Sequence, residues 1–308
     1  MGRRRRSSRP SGLRCVAEGF LLVDKDRGWT SHDVVARARG ILGERRIGHA
    51  GTLDPMATGL LILGVGRATR LLRFVQEQPK VYEATAMFGV STDTLDADGA
   101  VLWREEMEVD EDDVTAVLPR FTGPILQVPP MVSALKVDGR RLYELAREGI
   151  EVEREARPVE IFELEVTDFA PGPYPEVSFR VRCSSGTYIR TLADDIASAL
   201  GGRAHLTELR RTAIGSLQVE AASTIDQLAE AGPDAAARVI AMAEGLRDLG
   251  RVVATEEVAV AVGHGSVFAT GGLGITEAGS YAVVDDAGAL LAVYESDGRR
   301  AKPAVVLA

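Results

Sequence analysis

The chain has 308 residues, 45% of them hydrophobic and 26% charged, a balance ordinary for a globular protein and long enough for one large core and a smaller second unit. No stretch approaches 18 uninterrupted apolar residues, and the Arg-rich start lacks the apolar run of a secretory signal, so a cytoplasmic protein without a membrane span is expected. The formal net charge of -9 argues against a nucleic-acid partner only until its distribution is read: ten acids between Asp93 and Asp113 face Arg104 alone, and the remainder is neutral, with basic concentrations at Arg3 to Arg14, Arg37 to Arg73 and Arg203 to Arg211.

Residues 1–18, with Arg3 to Arg6 among Ser, Gly and Pro, predict a disordered basic tail. Phe20 to Val23 predicts a strand. Thr30 or Ser31 caps a helix in which Val34, Val35, Ala38, Ile41 and Leu42 recur at helical spacing, and Gly43 ends it. A loop from Gly48 to Gly59 runs into Leu60 to Val65, which reads as buried. Val81 to Gly89 predicts a strand with Tyr82, Ala84, Ala86 and Phe88 on one face. A turn at Asp98-Gly99 and a short helix over Glu111 to Leu118 follow, Val128-Pro129-Pro130 forbids regular helix, and Leu142 to Glu148 reads as a helix stopped by Gly149. Val159 to Phe169 and Val177 to Cys183 read as paired strands, and Thr187 to Leu200 as an amphipathic helix closed by Gly201-Gly202. From about residue 248, short Val/Ala-rich strands separated by Gly indicate a small β domain.

Four segments carry potential chemistry. In Gly48-His49-Ala50-Gly51-Thr52-Leu53-Asp54-Pro55-Met56-Ala57-Thr58-Gly59, Pro55 pushes Asp54 into an extended conformation, so the loop can present one carboxylate rigidly, with His49, Thr52 and Thr58 as polar neighbours. Ser185 to Arg190, at a strand-to-helix junction, offers backbone N–H groups and a guanidinium to an anion, phosphate or carboxylate. Tyr82 can stack on a base or pack in the core. Leu209-Arg210-Arg211-Thr212 pairs two guanidinium groups suited to phosphate. Cys15 and Cys183 form no C-x-x-C pair, and His32, His49, His205 and His264 show no ligand spacing, so no metal is expected.

In this order, the loop Gly48 to Gly59, Lys80-Val81-Tyr82 continuing to Gly89-Val90-Ser91-Thr92-Asp93-Thr94-Leu95-Asp96, the run Pro129 to Lys136, Tyr143 to Gly149, Ser185 to Arg190 and Leu209 to Thr212 resemble the tRNA pseudouridine synthase B (TruB) family over most of residues 20 to 215. The resemblance implies an α+β pseudouridine synthase fold, with a bent, mainly antiparallel mixed sheet flanked by helices over 19–247 and a small PUA-like RNA-binding β module over 248–308. It implies that the uridine at position 55 in the T loop of tRNA is isomerised to pseudouridine without cofactor or metal. The partner is then the tRNA T arm and loop, and a monomer is expected.

By the same resemblance Asp54 would be the nucleophile, attacking either the uracil ring or the ribose C1'; sequence leaves both routes open. An anion there also suits the positive character that glycosidic cleavage develops at C1'. Arg190 would pair with Asp54, Tyr82 would stack on the flipped uracil, Tyr188 would line the base pocket, and His49 would fill the vacated stack or contact its phosphate. Leu209 would support the substrate loop, and Arg70, Arg210 and Arg211 would contact the RNA backbone. The chain departs from the family pattern at Lys25-Asp26-Arg27-Gly28, where Lys-Pro before Gly is usual, at Val132, where an aromatic is common, and at Arg70, where Lys is frequent. Two rival readings are a noncatalytic RNA-binding protein of the same fold and a glycoside hydrolase pairing Asp54 with Asp93 or Asp96.

Overall fold

All residues of β1 (Gly19–Lys25) but Asp24 are buried, on both faces of the strand, which requires a central strand, and the computed structural model places it between a parallel and an antiparallel neighbour. That model describes residues 17–307 apart from 134, 138, 143, 144, 146, 147, 149, 151 and 270. All but two residues of the sequence-predicted basic tail, and most of the helix expected over 142–148, lie outside the described residues.

In chain order, β1 is followed by α1 (Ser31–Leu42), β2 (Ile47–His49), β3 (Thr58–Val65), α2 (Leu72–Gln76), β4 (Lys80–Phe88), β5 (Val90–Thr92), β6 (Val101–Arg104), α3 (Glu111–Val117), β7 (Gly123–Gln127), β8 (Lys136–Val137) and β9 (Arg140–Arg141). Then come β10 (Arg157–Ala170), β11 (Glu176–Cys183), α4 (Ile189–Ala199), β12 (Ala204–Ile214), β13 (Leu217–Gln218), β14 (Ser223–Thr224) and α5 (Ile225–Ala231). The main sheet runs β14-β1-β3-β12-β4-β11-β10-β7, with β2 on β3 and β13 on β12. Only β1–β14 and β3–β12 are parallel, so the fold is α+β on a mixed, mainly antiparallel sheet, as the resemblance implied. A second sheet, β15 (Gly250–Val253), β16 (Phe268–Ala269), β17 (Ala278–Val284), β18 (Leu290–Asp297) and β19 (Arg300–Val306), is ordered β15-β17-β18-β19-β16.

Local chemistry explains the elements that frame the site. Thr30 caps α1 by accepting from the Asp33 N–H while the Asp33 carboxylate accepts from the Thr30 N–H, and Gly43 closes it at φ +65°. Val34, Val35 and Ala38 then pack on Leu21, Val23, Leu61 and Leu63. On the other wing, Tyr82, Ala84, Ala86 and Phe88 of β4 pack beneath Ile189, Leu192 and Ile196 of α4. The two wings meet where β3 and β12 touch, at only two pairs, Thr58 with Arg210 and Gly59 with Arg211. The Asp54 loop leaves the sheet at that joint.

Candidate active site

Asp54 opens a tight turn, its carbonyl accepting from the Ala57 N–H at 3.1 Å with Pro55 at the second position. Three neighbours fix the turn from outside. Ser31 Oγ, at the start of α1, donates to the Leu53 carbonyl at 3.1 Å and accepts from the Leu53 N–H at 2.9 Å. The Gly28 N–H donates to the Pro55 carbonyl at 2.8 Å. Lys25, fully covered, donates from Nζ to the carbonyls of Trp29 (2.9 Å), Asp26 (3.0 Å) and Pro55 (3.4 Å). Burial lowers the Lys25 ammonium from 10.5 to about 8, against the opposing pull of the Asp54 carboxylate.

Arg190, in the first turn of α4, reaches back to this loop: Nη2 lies 2.9 Å from Asp54 Oδ2. The guanidinium is 4% exposed and the carboxylate 35%, so the pair is covered from behind and open in front. Arg190 is held by more than Asp54. Its Nη1 donates to the Thr94 carbonyl at 2.6 Å and lies 3.4 Å from Asp96 Oδ2, and Nη2 also donates to the Val132 carbonyl at 2.9 Å. At Val132, where the side chain departs from the family pattern, the contribution is therefore made by the backbone. Tyr188 caps α4 without a side-chain bond; instead Gln127 brackets it, Oε1 accepting from its N–H at 2.7 Å and Nε2 donating to its carbonyl at 3.0 Å. This bracket starts the helix at Ile189 rather than at Thr187. Burial raises the phenols of both Tyr82 and Tyr188, with Asp54 adding in the same direction.

The structure brings Asp54, Arg190, Tyr82 and Tyr188 into one neighbourhood, with Leu209 buried in the cluster that contains Tyr82. His49 stands apart on β2, edge-on to His32 with ring centroids 5.4 Å apart, and burial lowers its imidazole. The three arginines grouped with the RNA backbone are otherwise engaged. Arg211 is 1% exposed, donates to the carbonyls of Leu60 (2.7 Å) and Thr52 (3.4 Å), and sits beside the Tyr82 hydroxyl; this corrects the expectation of a phosphate contact, since no phosphate can reach it from solvent. Arg210 makes a two-pronged contact with Asp24, at 3.0 and 2.7 Å, and Arg70, though exposed, donates to the Val306 carbonyl at 2.8 Å.

Asp96 is not available as a second hydrolytic carboxylate. It is 6% exposed, and its Oδ1 accepts from Thr94 Oγ1 at 2.6 Å and from the Asp98 N–H at 3.1 Å. Sequence reasoning gave no supporting role to Lys25, Ser31, Asp96 or Gln127. One signal was legible: Lys25 falls on the same alternating face as Leu21 and Val23, where a surface lysine does not belong. A cleft of about 490 Å³ is lined by Met56 and Thr58, at the end of the Asp54 loop, together with Glu83, Ala84, Leu209 and Arg210 of β4 and β12. Among the described residues, no three His, Cys, Asp or Glu side chains converge as metal ligands do, and no helix is long and apolar enough to cross a membrane.

A family model for the TruB family pseudouridylate synthase (N terminal domain) matches residues 39–189, and one for the tRNA pseudouridylate synthase B C-terminal domain matches residues 190–255. The tRNA pseudouridine synthase B of Rhodococcus jostii (strain RHA1) is 44% identical over 300 residues, 96% of this chain and 95% of that protein. This chain belongs to the TruB family. The tRNA pseudouridine synthase B of Thermobifida fusca (strain YX) is 54% identical over 220 residues, 70% of this chain and 75% of its own. A solved structure of a Cbf5-Nop10-Gar1 complex contains a chain that superposes with TM-score 0.71 at 28% identity, over 91% of this chain and 79% of its own. The two TruB models divide at 189/190, so the Asp54–Arg190 ion pair joins the parts that they describe.

Proposed function

We propose that Asp54 is the nucleophile with which this tRNA pseudouridine synthase isomerises the uridine at position 55 of the T loop. The observation that carries the reading is a single carboxylate, 35% exposed, held on one oxygen by a buried guanidinium and flanked by two tyrosines. A carboxylate fixed in this way can form a covalent bond either to uracil C6 or to ribose C1'. The N1–C1' bond breaks, the base turns, C5 bonds to C1', the bond to Asp54 breaks, and the C5 proton leaves while N1 takes one up from water; the product is an isomer of the substrate, so nothing is consumed overall. Arg190 keeps the carboxylate aimed, Tyr82 offers a ring face to the flipped base, and Tyr188 closes the pocket. Lys25 and Ser31 hold the backbone from which Asp54 attacks. His49 stands near the entry to that loop, suited to the space that the flipped nucleotide leaves. The second sheet, within residues 248–308, is read as a PUA-like RNA-binding module, and the enzyme as a cytoplasmic monomer.

The test is Asp54→Asn, which keeps the shape and removes the nucleophile. Tritium release from C5-labelled uridine in tRNA is expected to be lost while tRNA binding is largely retained. Conversion at the wild-type rate would overturn the assignment, and release of free uracil would point to hydrolysis instead.

A further inference from the structure

Among the described residues, Leu95 is the only non-glycine residue with a positive φ, at +58°. Leucine rarely adopts this left-handed conformation, because Cβ then crowds the following carbonyl. Leu95 sits between the two groups that grip Arg190 Nη1, the Thr94 carbonyl before it and the Asp96 carboxylate after it. In an extended strand, a carbonyl and the side chain two residues on would not converge on one guanidinium nitrogen; the reversal at Leu95 turns both inward.

The surroundings hold that reversal in place. The Leu95 N–H donates to the Thr92 carbonyl at 3.2 Å, closing a four-residue turn, and its own carbonyl accepts from the Leu206 N–H of β12 at 3.1 Å. Thr92 Oγ1 donates to the Asp96 carbonyl at 2.7 Å, and Thr94 Oγ1 to Asp96 Oδ1. The strained residue is therefore tied to the central sheet on one side and to the Arg190 clamp on the other. Strained backbone persists where its surroundings over-determine it, and here they also determine where Arg190 points.

We propose that Leu95 is a positioning residue for the isomerisation, its left-handed backbone presetting Arg190, and through it Asp54, before tRNA binds. This rests on the reading of Asp54 as the nucleophile. The side chain is secondary to the backbone, so activity should follow tolerance of the left-handed conformation rather than hydrophobic size.

Two substitutions separate these properties. Leu95→Asn is polar but tolerates the conformation, whereas Leu95→Ile keeps the apolar volume and, being β-branched, resists it. Leu95→Asn is expected to keep kcat near that of the wild type, and Leu95→Ile to lose about tenfold or more. KM for tRNA should change little in either, and circular dichroism melts should show both folded. Wild-type kcat in Leu95→Ile, or a lower kcat in Leu95→Asn than in Leu95→Ile, overturns the proposal in favour of simple packing. Should Leu95→Ile not fold, Leu95→Ala replaces it: kcat below Leu95→Asn supports the proposal, and kcat equal to or above it overturns it. Asp54→Asn is assayed alongside. If that variant is active, the underlying reading fails; if it is inactive while the Leu95 order is reversed, only this inference fails.

Discussion

Asp54 owes its geometry to residues that never need to touch the uridine, and Lys25 is the one with a titration of its own. Its ammonium is fully covered yet serves three backbone carbonyls, one of them next to Asp54. Because burial lowers its value from 10.5 to about 8, folded and unfolded chains both hold the proton below pH 8, and Lys25 adds no pH dependence there. Between about pH 8 and 10.5 the unfolded chain keeps a proton that the folded chain has released, so this group's contribution to stability rises with pH; it is complete above 10.5 and lost as pH falls through 8. Lys25→Met should therefore flatten the rise in unfolding free energy across that window, measured by denaturant titration at several pH values. Parallel wild-type and variant curves would contradict the burial argument. The same variant frees the Pro55 carbonyl from its ammonium, and a buried charge-assisted bond of this kind contributes about 1.5 to 3 kcal/mol, so a fall in kcat of about tenfold or more is expected with tRNA binding preserved.

At the scale of elements, the joint between β3 and β12 decides whether the two wings form one site. Gly59 has φ +99°, and a Cβ there would lie 2.3 Å from the Arg211 carbonyl oxygen, so Gly59→Ala must push the strands apart as well as strain the backbone. A loss of about 2 to 4 kcal/mol is expected, seen as a lower denaturant midpoint at unchanged slope; a midpoint within error of wild type would show that the strands need not meet this closely. This joint also marks the limit of what the sequence disclosed. Alternation gave the strand that carries Tyr82 and the β10–β11 pair, and capping chemistry gave α1 from Thr30 to Gly43. Leu209-Arg210-Arg211-Thr212 reads in the sequence as two guanidinium groups offered to phosphate, which would place both at the surface. Yet β12 is central, and Arg211 donates from Nε and Nη1 to Leu60 and Thr52, carbonyls about 150 residues away in sequence that no local pattern announces. Asp96 was hidden for the same reason: within a run of ten acids it looks solvated, and only folding brings Arg190 to it.

For the whole molecule, the question is which positive charges remain for RNA once folding has used its share. Val293 and Val305 of the second sheet, with Leu307 just beyond its last strand, share an apolar cluster with Phe20, Leu60 and Phe74, so the two sheets are joined by a common core. Much of the basic run before Arg73 is spent along that contact: Arg67 donates to the Leu307 carbonyl and pairs with Glu18, Arg70 donates to Val306, and Arg73 pairs with Glu295. Arg39 donates to the Ile47 carbonyl within the same wing. Arg45 and Arg46, by contrast, are exposed in the segment that leads through β2 to His49 and the Asp54 loop, and on the reading proposed above they are the charges left to meet RNA phosphates there. Each phosphate contact removed should lower the slope of log affinity against log salt by about one, so replacing Arg45 and Arg46 together by Ala should weaken tRNA binding and reduce the slope by about two. Arg70→Ala should leave the slope unchanged and lower the unfolding midpoint, because its guanidinium serves the contact between the sheets. Filter-binding isotherms from low to physiological salt distinguish the two roles: a reduced slope in Arg70→Ala with an unchanged one in the Arg45/Arg46 variant would reverse the assignment of which charges face the RNA.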